Sequence, residues 1–159
     1  MARIAVGGTF ECLHDGHRSL IRKAFELANG DLVDIGLTSS EMAGRRGRDM
    51  PSYATRKNML MSFIDGLDIG QKQYRIQQLD DPYGSTLTED YGYIVVSPET
   101  HPVALRINEL RQGAGLDPIG IVRVNFVMAE DDSPISSTRI VQGEIDIHGH
   151  LMDAEQDEQ

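Results

Sequence analysis

A chain of 159 residues that is 40% hydrophobic has enough apolar material for one domain with a sizeable core, and its single cysteine leaves no internal disulfide. A formal net charge of -10 argues against a general nucleic-acid binder, whose electrostatic footprint is basic. No apolar run is long enough to span a membrane, and the chain enters a strand too early to leave room for a signal peptide, so the expected setting is cytoplasmic. Only Lys23, Lys57 and Lys72 among the 15 basic residues are lysines, a balance that suits a high-salt cytoplasm or an ordinary acidic protein.

Ile4-Ala5-Val6 reads as a short buried strand running into Gly7-Gly8-Thr9-Phe10. Glu11-Cys12-Leu13 and His14-Asp15-Gly16-His17 follow, and then an amphipathic helix with Leu20, Ile21, Ala24, Phe25 and Ala28 at helical spacing. Asn29-Gly30 is the expected stop. Strand, glycine turn and helix N-terminus together form a place where α/β sheets bind phosphate. His14 and His17 share one face of the first helical turn. Gly16 between them, lacking a Cβ, leaves room for a ligand at the backbone.

Leu32 to Leu37 is a second strand ending in Thr38-Ser39-Ser40, which completes a βαβ unit. Residues 41 to 51 read as a mobile loop carrying Arg45, Arg46 and Arg48. Ser52 can cap a helix to about Asp65, with Ala54, Met59, Leu60, Phe63 and Ile64 on its apolar side. Met59, Met61 and Met128 read as core filler. Gln73 to Leu79 is a third strand, followed by the turn-rich Asp80 to Ser85.

Tyr93 to Val96 is a fourth strand, expected to be buried on both faces. Thr100 can cap the next helix, with Pro102 in its first turn. Ile119 to Met128 is a fifth strand. A short helix after Ser136-Ser137-Thr138-Arg139 closes at Gly143. Residues 1–150 make the domain, and 151–159 read as an acidic, flexible tail, with His148-Gly149-His150 as its solvated beginning.

Five strands alternating with helices predict one Rossmann-like, open, parallel α/β sheet with helices on both faces. Ligands on such sheets bind beyond the strand C-termini, at the switch in strand order. Gly7 to His17, Thr38 to Arg48, Ser97 to Thr100 and Ser136 to Arg139 each follow a strand, so all fall on that edge. Thr9, His14 and His17 can donate hydrogen bonds to phosphate oxygens as charge builds in a transition state. Ser136, Ser137 and Thr138 offer hydroxyls, with no Glu or Gln placed for a capping box, and Arg139 adds a planar fork. Two anion sites from opposite ends of the chain thus converge. No Ser-His-Asp or Cys-His arrangement is present, which suits direct transfer by positioning. A metal site built on His14 and His17, with His101, His148 or His150 as a third ligand, is the weaker reading, and no resident metal is expected.

The His14-Asp15-Gly16-His17 segment after Gly-Thr-Phe resembles the HxGH signature of the nucleotidyltransferase superfamily. Ile135-Ser136-Ser137-Thr138-Arg139-Ile140 resembles its second, ISSTR-type signature. Leu37 to Ala43, Asp81 to Gly84, Val96 to Thr100, Ile107-Asn108 with Arg111, and Gly143 to Asp146 resemble the archaeal type of phosphopantetheine adenylyltransferase. Glu11 stands where many members have Asp, and three arginines stand where a loop lysine is expected.

The resemblance implies transfer of the adenylyl group of ATP to 4'-phosphopantetheine, with Mg²⁺ accompanying ATP. It places Thr9, His14, His17 and Arg139 in catalysis, and Gly8, Phe10, Gly16, Glu99, Ser136, Ser137 and Thr138 with them around the nucleotide. Thr9, Thr38, Ser39, Asn108, Arg111 and one of Arg45, Arg46 or Arg48 are implied for the acceptor. Small molecules are the expected partners, with no nucleic acid or membrane, and a monomer. Two alternatives stay open: another phosphorylated acceptor (nicotinamide mononucleotide, flavin mononucleotide or glycerol phosphate), and a non-catalytic nucleotide sensor.

Overall fold

The computed structural model describes residues 3–44, 50–70 and 72–152. Among them, five strands form one sheet: β1 (Ile4–Gly8), β2 (Val33–Thr38), β3 (Tyr74–Leu79), β4 (Tyr93–Val96) and β5 (Gly120–Arg123). Their order is β3-β2-β1-β4-β5, and every pairing is parallel. The order reverses between β1 and β4, so the crevice of the switch point opens beside the first glycine turn.

Alternation along the strands divides the core in two. Ile4, Val6, Ile35 and Val95 pack under α1 (Asp15–Ala28) and α3 (Tyr53–Asp65). Ala5, Ile94 and Val96 pack on the other face under α4 (His101–Gly113). Helices therefore cover both faces, as the strand–helix alternation predicts. A satellite cluster of Ala129, Ile135 and Ile145 anchors the C-terminal segment, which contains α5 (Ser137–Val141). No helix among the described residues is long and apolar enough to cross a membrane.

Several sequence expectations need correction. The fifth strand stops at Arg123 rather than Met128. Val124 bonds the carbonyl of Val96, where β4 ends, so residues beyond it have no neighbouring strand to pair with. Met128 instead forms an antiparallel bridge with Pro134 and is exposed. Met59 and Met61 are exposed too, so none of these three methionines fills the core. The buried face of α3 is Arg56, Leu60 and Ile64, spaced by four, while Ala54 and Met59 face outward. Of β4, Tyr93 is exposed and only Ile94, Val95 and Val96 are buried.

Part of the expected 41–51 loop is a short helix, α2 (Ser40–Gly44). Arg45, Arg46 and Arg48 lie outside the described residues. The expected tail begins too early in the sequence reading: Ile145 bridges Leu151, and the N–H of Met152 bonds Glu144 O at 2.9 Å. His148 and His150 lie within this turn, where their backbone N–H groups both bond Asp146 Oδ1. A Cβ on Gly149 would fall 2.8 Å from Ala129 Cα, so the glycine is packed, while the side chains of His148 and His150 are exposed as expected. Residues 153–159 lie outside the described residues.

Candidate active site

Two cavities open along the C-terminal edge of the sheet and share the wall Gly7-Gly8-Thr9 and Thr100. The larger, ≈ 450 Å³, is lined by Phe10, Glu11, His14, Gly16, His17, Glu99 and Ser136 to Arg139. Both signature segments therefore meet in one place, although 117 residues separate them in sequence. The smaller, ≈ 300 Å³, has walls of Ile94, Val103 and Ile107. Asp34, Gln77, Ser85 and Tyr91 supply its polar groups, and Thr38 lines it beside Thr9.

His14 is the extended N-cap just ahead of α1 rather than a member of its first turn. Its Nδ1 accepts the N–H of Gly16 at 3.0 Å, and its own N–H donates to Nδ1 of His17 at 3.3 Å. A backbone N–H can only donate, so each Nδ1 is an acceptor and each neutral imidazole carries its proton on Nε2. The fold thus sets both histidines as Nε2–H donors. Burial pushes the His14 pKa down to about 4, against a smaller opposing pull from Asp15, so His14 is neutral at pH 7.

The space beside Gly16 is already used. A Cβ there would lie 2.8 Å from Cε1 of His14, so the glycine makes room for the imidazole folded over it, not for a ligand. The first two amides of α1 are also engaged, Asp15 N–H on the carbonyl of Ile147 and Gly16 N–H on His14. Phe10 sits at φ 50, a left-handed conformation uncommon for an aromatic residue. It turns the chain sharply after Thr9, and its buried ring lies 5.1 Å from that of His17.

At the other end, Ser136 Oγ caps α5 by accepting Arg139 N–H at 3.2 Å, and Ser137 Oγ donates to the carbonyl of Cys12 at 3.4 Å. The second contact ties the two signature segments together. Arg139 is heavily engaged: its guanidinium bonds Asp131, Glu144 and the carbonyls of Ser133 and Pro134. It braces the loop before α5 as well as lining the larger cavity.

Three residues implied for the acceptor do other work. Arg111 is buried and donates to the carbonyls of Thr86, Glu89 and Asp117 and to Asp90 Oδ1. Asn108 exchanges hydrogen bonds with the backbone of Ile119, locking α4 to β5. Ser39 Oγ accepts Met42 N–H at the start of α2, and Ser39 lines neither cavity. Arg111 and Asn108 hold backbone groups that burial would otherwise leave unpaired, whereas the Ser39 hydroxyl accepts one N–H and keeps its own proton. Thr100 does precede α4, but its hydroxyl accepts the N–H of Ser97 instead of capping the helix.

Sequence reasoning does not single out Asp34, and it offers Arg56 only as one of several basic residues, beside Lys57, that could offset an anionic ligand. Asp34 Oδ2 accepts from Arg75, Tyr91 and Arg3 at 2.7, 2.6 and 3.1 Å at the bottom of the smaller cavity. Burial alone would raise its pKa, but these bonds outweigh it and hold the carboxyl below the usual range. A lone carboxylate inside the apolar run Val33 to Leu37 was the available signal. For Arg56 it was an arginine on the Leu60–Ile64 stripe.

The comparisons with known proteins agree with this geometry. Residues 5–143 match the model of the cytidylyltransferase-like family. The phosphopantetheine adenylyltransferase of Methanosarcina acetivorans is 53% identical over 95% of this chain and 96% of its own length. That of Archaeoglobus fulgidus is 43% identical over 94% and 99%. The chain belongs to the phosphopantetheine adenylyltransferase family. A solved structure from Archaeoglobus fulgidus, described as of unknown function, superposes with TM-score 0.68 at 41% identity, covering 77% of this chain and 88% of that one. At 14% identity, a pantoate-beta-alanine ligase of Francisella tularensis shares the fold, with TM-score 0.52 over 86% of this chain and 64% of its own. Both family signatures line the larger cavity here.

Proposed function

We propose that this chain transfers the adenylyl group of ATP to 4'-phosphopantetheine, giving dephospho-coenzyme A and pyrophosphate, as the names of its relatives indicate. The observation that carries the assignment of substrates to places is the wall shared by the two cavities at Gly7 to Thr9. ATP occupies the larger cavity, with its triphosphate between His14, His17 and the Ser136–Arg139 segment. The pantetheine arm occupies the smaller. That arm carries amides and hydroxyls on an otherwise apolar chain, matching apolar walls and a polar floor. Its phosphate then lies at Thr9, beside the α-phosphate of ATP.

The acceptor phosphate attacks the α-phosphorus in line, and pyrophosphate leaves from the opposite side without a covalent enzyme intermediate. The work is positioning and charge stabilisation. The Nε2–H groups of His14 and His17 donate to phosphate oxygens, and no proton need leave either ring. Mg²⁺ accompanying ATP would offset the negative charge of its phosphates, and the carboxylates of the larger cavity would be the side chains to hold it. Glu11 and Glu99 are the carboxylates lining that cavity. One of Arg45, Arg46 or Arg48 supplies a further cation for the phosphates. The chain works as a cytoplasmic monomer on small molecules.

Pyrophosphate release from ATP and Mg²⁺ tests the assignment, with 4'-phosphopantetheine, nicotinamide mononucleotide and flavin mononucleotide compared at low and high salt. Release with 4'-phosphopantetheine alone is expected. Release with another acceptor overturns the substrate. Silence with all three, in protein that binds ATP, leaves a nucleotide sensor.

A further inference from the structure

Arg56 is fully buried beneath the wall shared by the two cavities. Its Nε donates to the carbonyl of Pro51 at 2.9 Å. Its Nη1 donates to the carbonyl of Thr9 at 3.1 Å and to Thr38 Oγ1 at 3.2 Å. Its Nη2 is buried with no hydrogen-bond partner. These bonds all end on neutral oxygens, so no hydrogen-bonded carboxylate cancels the charge, and Glu11 acts on it through space. Thr38 Oγ1 in turn donates to Thr9 Oγ1 at 3.1 Å.

Hydrogen-bond polarity follows from what each group can do. A guanidinium only donates, so Thr38 Oγ1 is the acceptor in its bond with Arg56. The Thr38 proton is then spent on Thr9 Oγ1. The Thr9 hydroxyl, with that oxygen already accepting, keeps its own proton for another partner. Thr9 lines both cavities, so that proton is available where the two substrates meet. An acceptor-only group such as a phosphoryl oxygen takes that proton and completes the chain.

We propose that Arg56 and Thr38 are positioning residues that fix Thr9 as a hydrogen-bond donor to the transferring phosphates, through a one-way relay Arg56→Thr38→Thr9. Neither need touch substrate. The relay rests on the substrate assignment above only for the identity of the phosphates.

The test uses Thr38→Val, which removes the hydroxyl and keeps the shape, beside Thr38→Ser, Thr9→Val and the Thr9→Val/Thr38→Val double variant. Thr38→Val should lower kcat/KM for 4'-phosphopantetheine about tenfold or more, with the ATP Kd held within about threefold and Tm lowered by about 5 °C at most. Thr38→Ser should restore turnover. If Thr38 acts through Thr9, the double variant is no worse than Thr9→Val alone. Turnover of Thr38→Val within about twofold of the parent, or losses that add fully in the double variant, overturns the relay. Calorimetric binding of inorganic phosphate reads it without chemistry, and Thr38→Val should weaken that binding about tenfold. A parent protein silent in turnover but showing that phosphate effect retires the substrate and keeps the relay. Unchanged phosphate binding in Thr38→Val retires the relay.

Discussion

The backbone N–H of His14 donates to Nδ1 of His17, and the two imidazoles stack with centroids 3.9 Å apart. One residue of the pair therefore sets the tautomer of the other. Replacing His17 by Ala removes an imidazole that lines the larger cavity. Turnover should fall about a hundredfold or more while ATP still binds. His17→Gln, whose amide can present a donor near the same place, should recover part of the loss. Single-turnover kinetics beside equilibrium ATP binding separates the two effects.

Burial lowers the His14 pKa to about 4, below its ordinary 6.5. The neutral donor therefore persists throughout the pH range 5 to 8, and His14 should add no inflection to turnover there. The sign for stability follows from proton counting. Between the folded and unfolded pKa values the unfolded chain binds more protons, so stability rises with pH across that window and is lost as pH falls from the upper value toward the lower. Following the His14 Cε1 proton by NMR should show a midpoint near the lower value. His14→Gln should flatten the stability slope between them.

Gly16→Ala separates fold from function. In an α-helix the change gains about 1 kcal/mol of propensity, yet the new methyl falls 2.8 Å from the His14 ring. The flexible side chain yields before the backbone does. Thermal stability should hold or rise, while turnover drops about tenfold or more because the His14 donor is displaced. Equal losses of stability and activity would contradict this.

Arg111 should behave in the opposite way. Its buried guanidinium holds three backbone carbonyls between α4 and the loop before β4, with the exposed carboxylate of Asp90 at the rim. Arg111→Ala leaves those acceptors unpaired and should cost about 3 kcal/mol of unfolding free energy or more. In the fraction that folds, the KM for 4'-phosphopantetheine should stay within about twofold, since no substrate contact is lost. Urea unfolding and steady-state kinetics on one preparation decide the matter.

Much of the fold was legible in the sequence because strand–helix alternation and glycine or Ser/Thr boundaries are local signals. Ser52 and Asn29 end their helices where local chemistry places them. The length of the fifth strand was not legible, because it depends on where β4 stops, a non-local fact. The convergence of the two signatures could be read from the rule for parallel sheets. What each polar residue does there could not. Asn108 and Arg111 are residue types that bind acceptors, and only their backbone partners show that they are already holding the fold. Arg56 reads from the sequence as one candidate cation among several, and its place under the cavity wall was not legible, since a charged residue on an apolar stripe counts against a helix face until its partners are known.

The N–H of Asp15, at the first turn of the HxGH helix, bonds the carbonyl of Ile147 at 3.1 Å, and His148 Nδ1 lies 3.0 Å from the Asp15 carboxylate. The site that the first seventeen residues begin is therefore closed by a segment made some 130 residues later. During synthesis the β1–α1–β2 unit can form as soon as it leaves the ribosome, but its histidine turn lacks that closing contact until residue 147 has emerged. A nascent chain consequently has the frame of a nucleotide site well before it has a finished one, and a protein broken off short of the Ile145–Leu151 bridge keeps the frame without the closure.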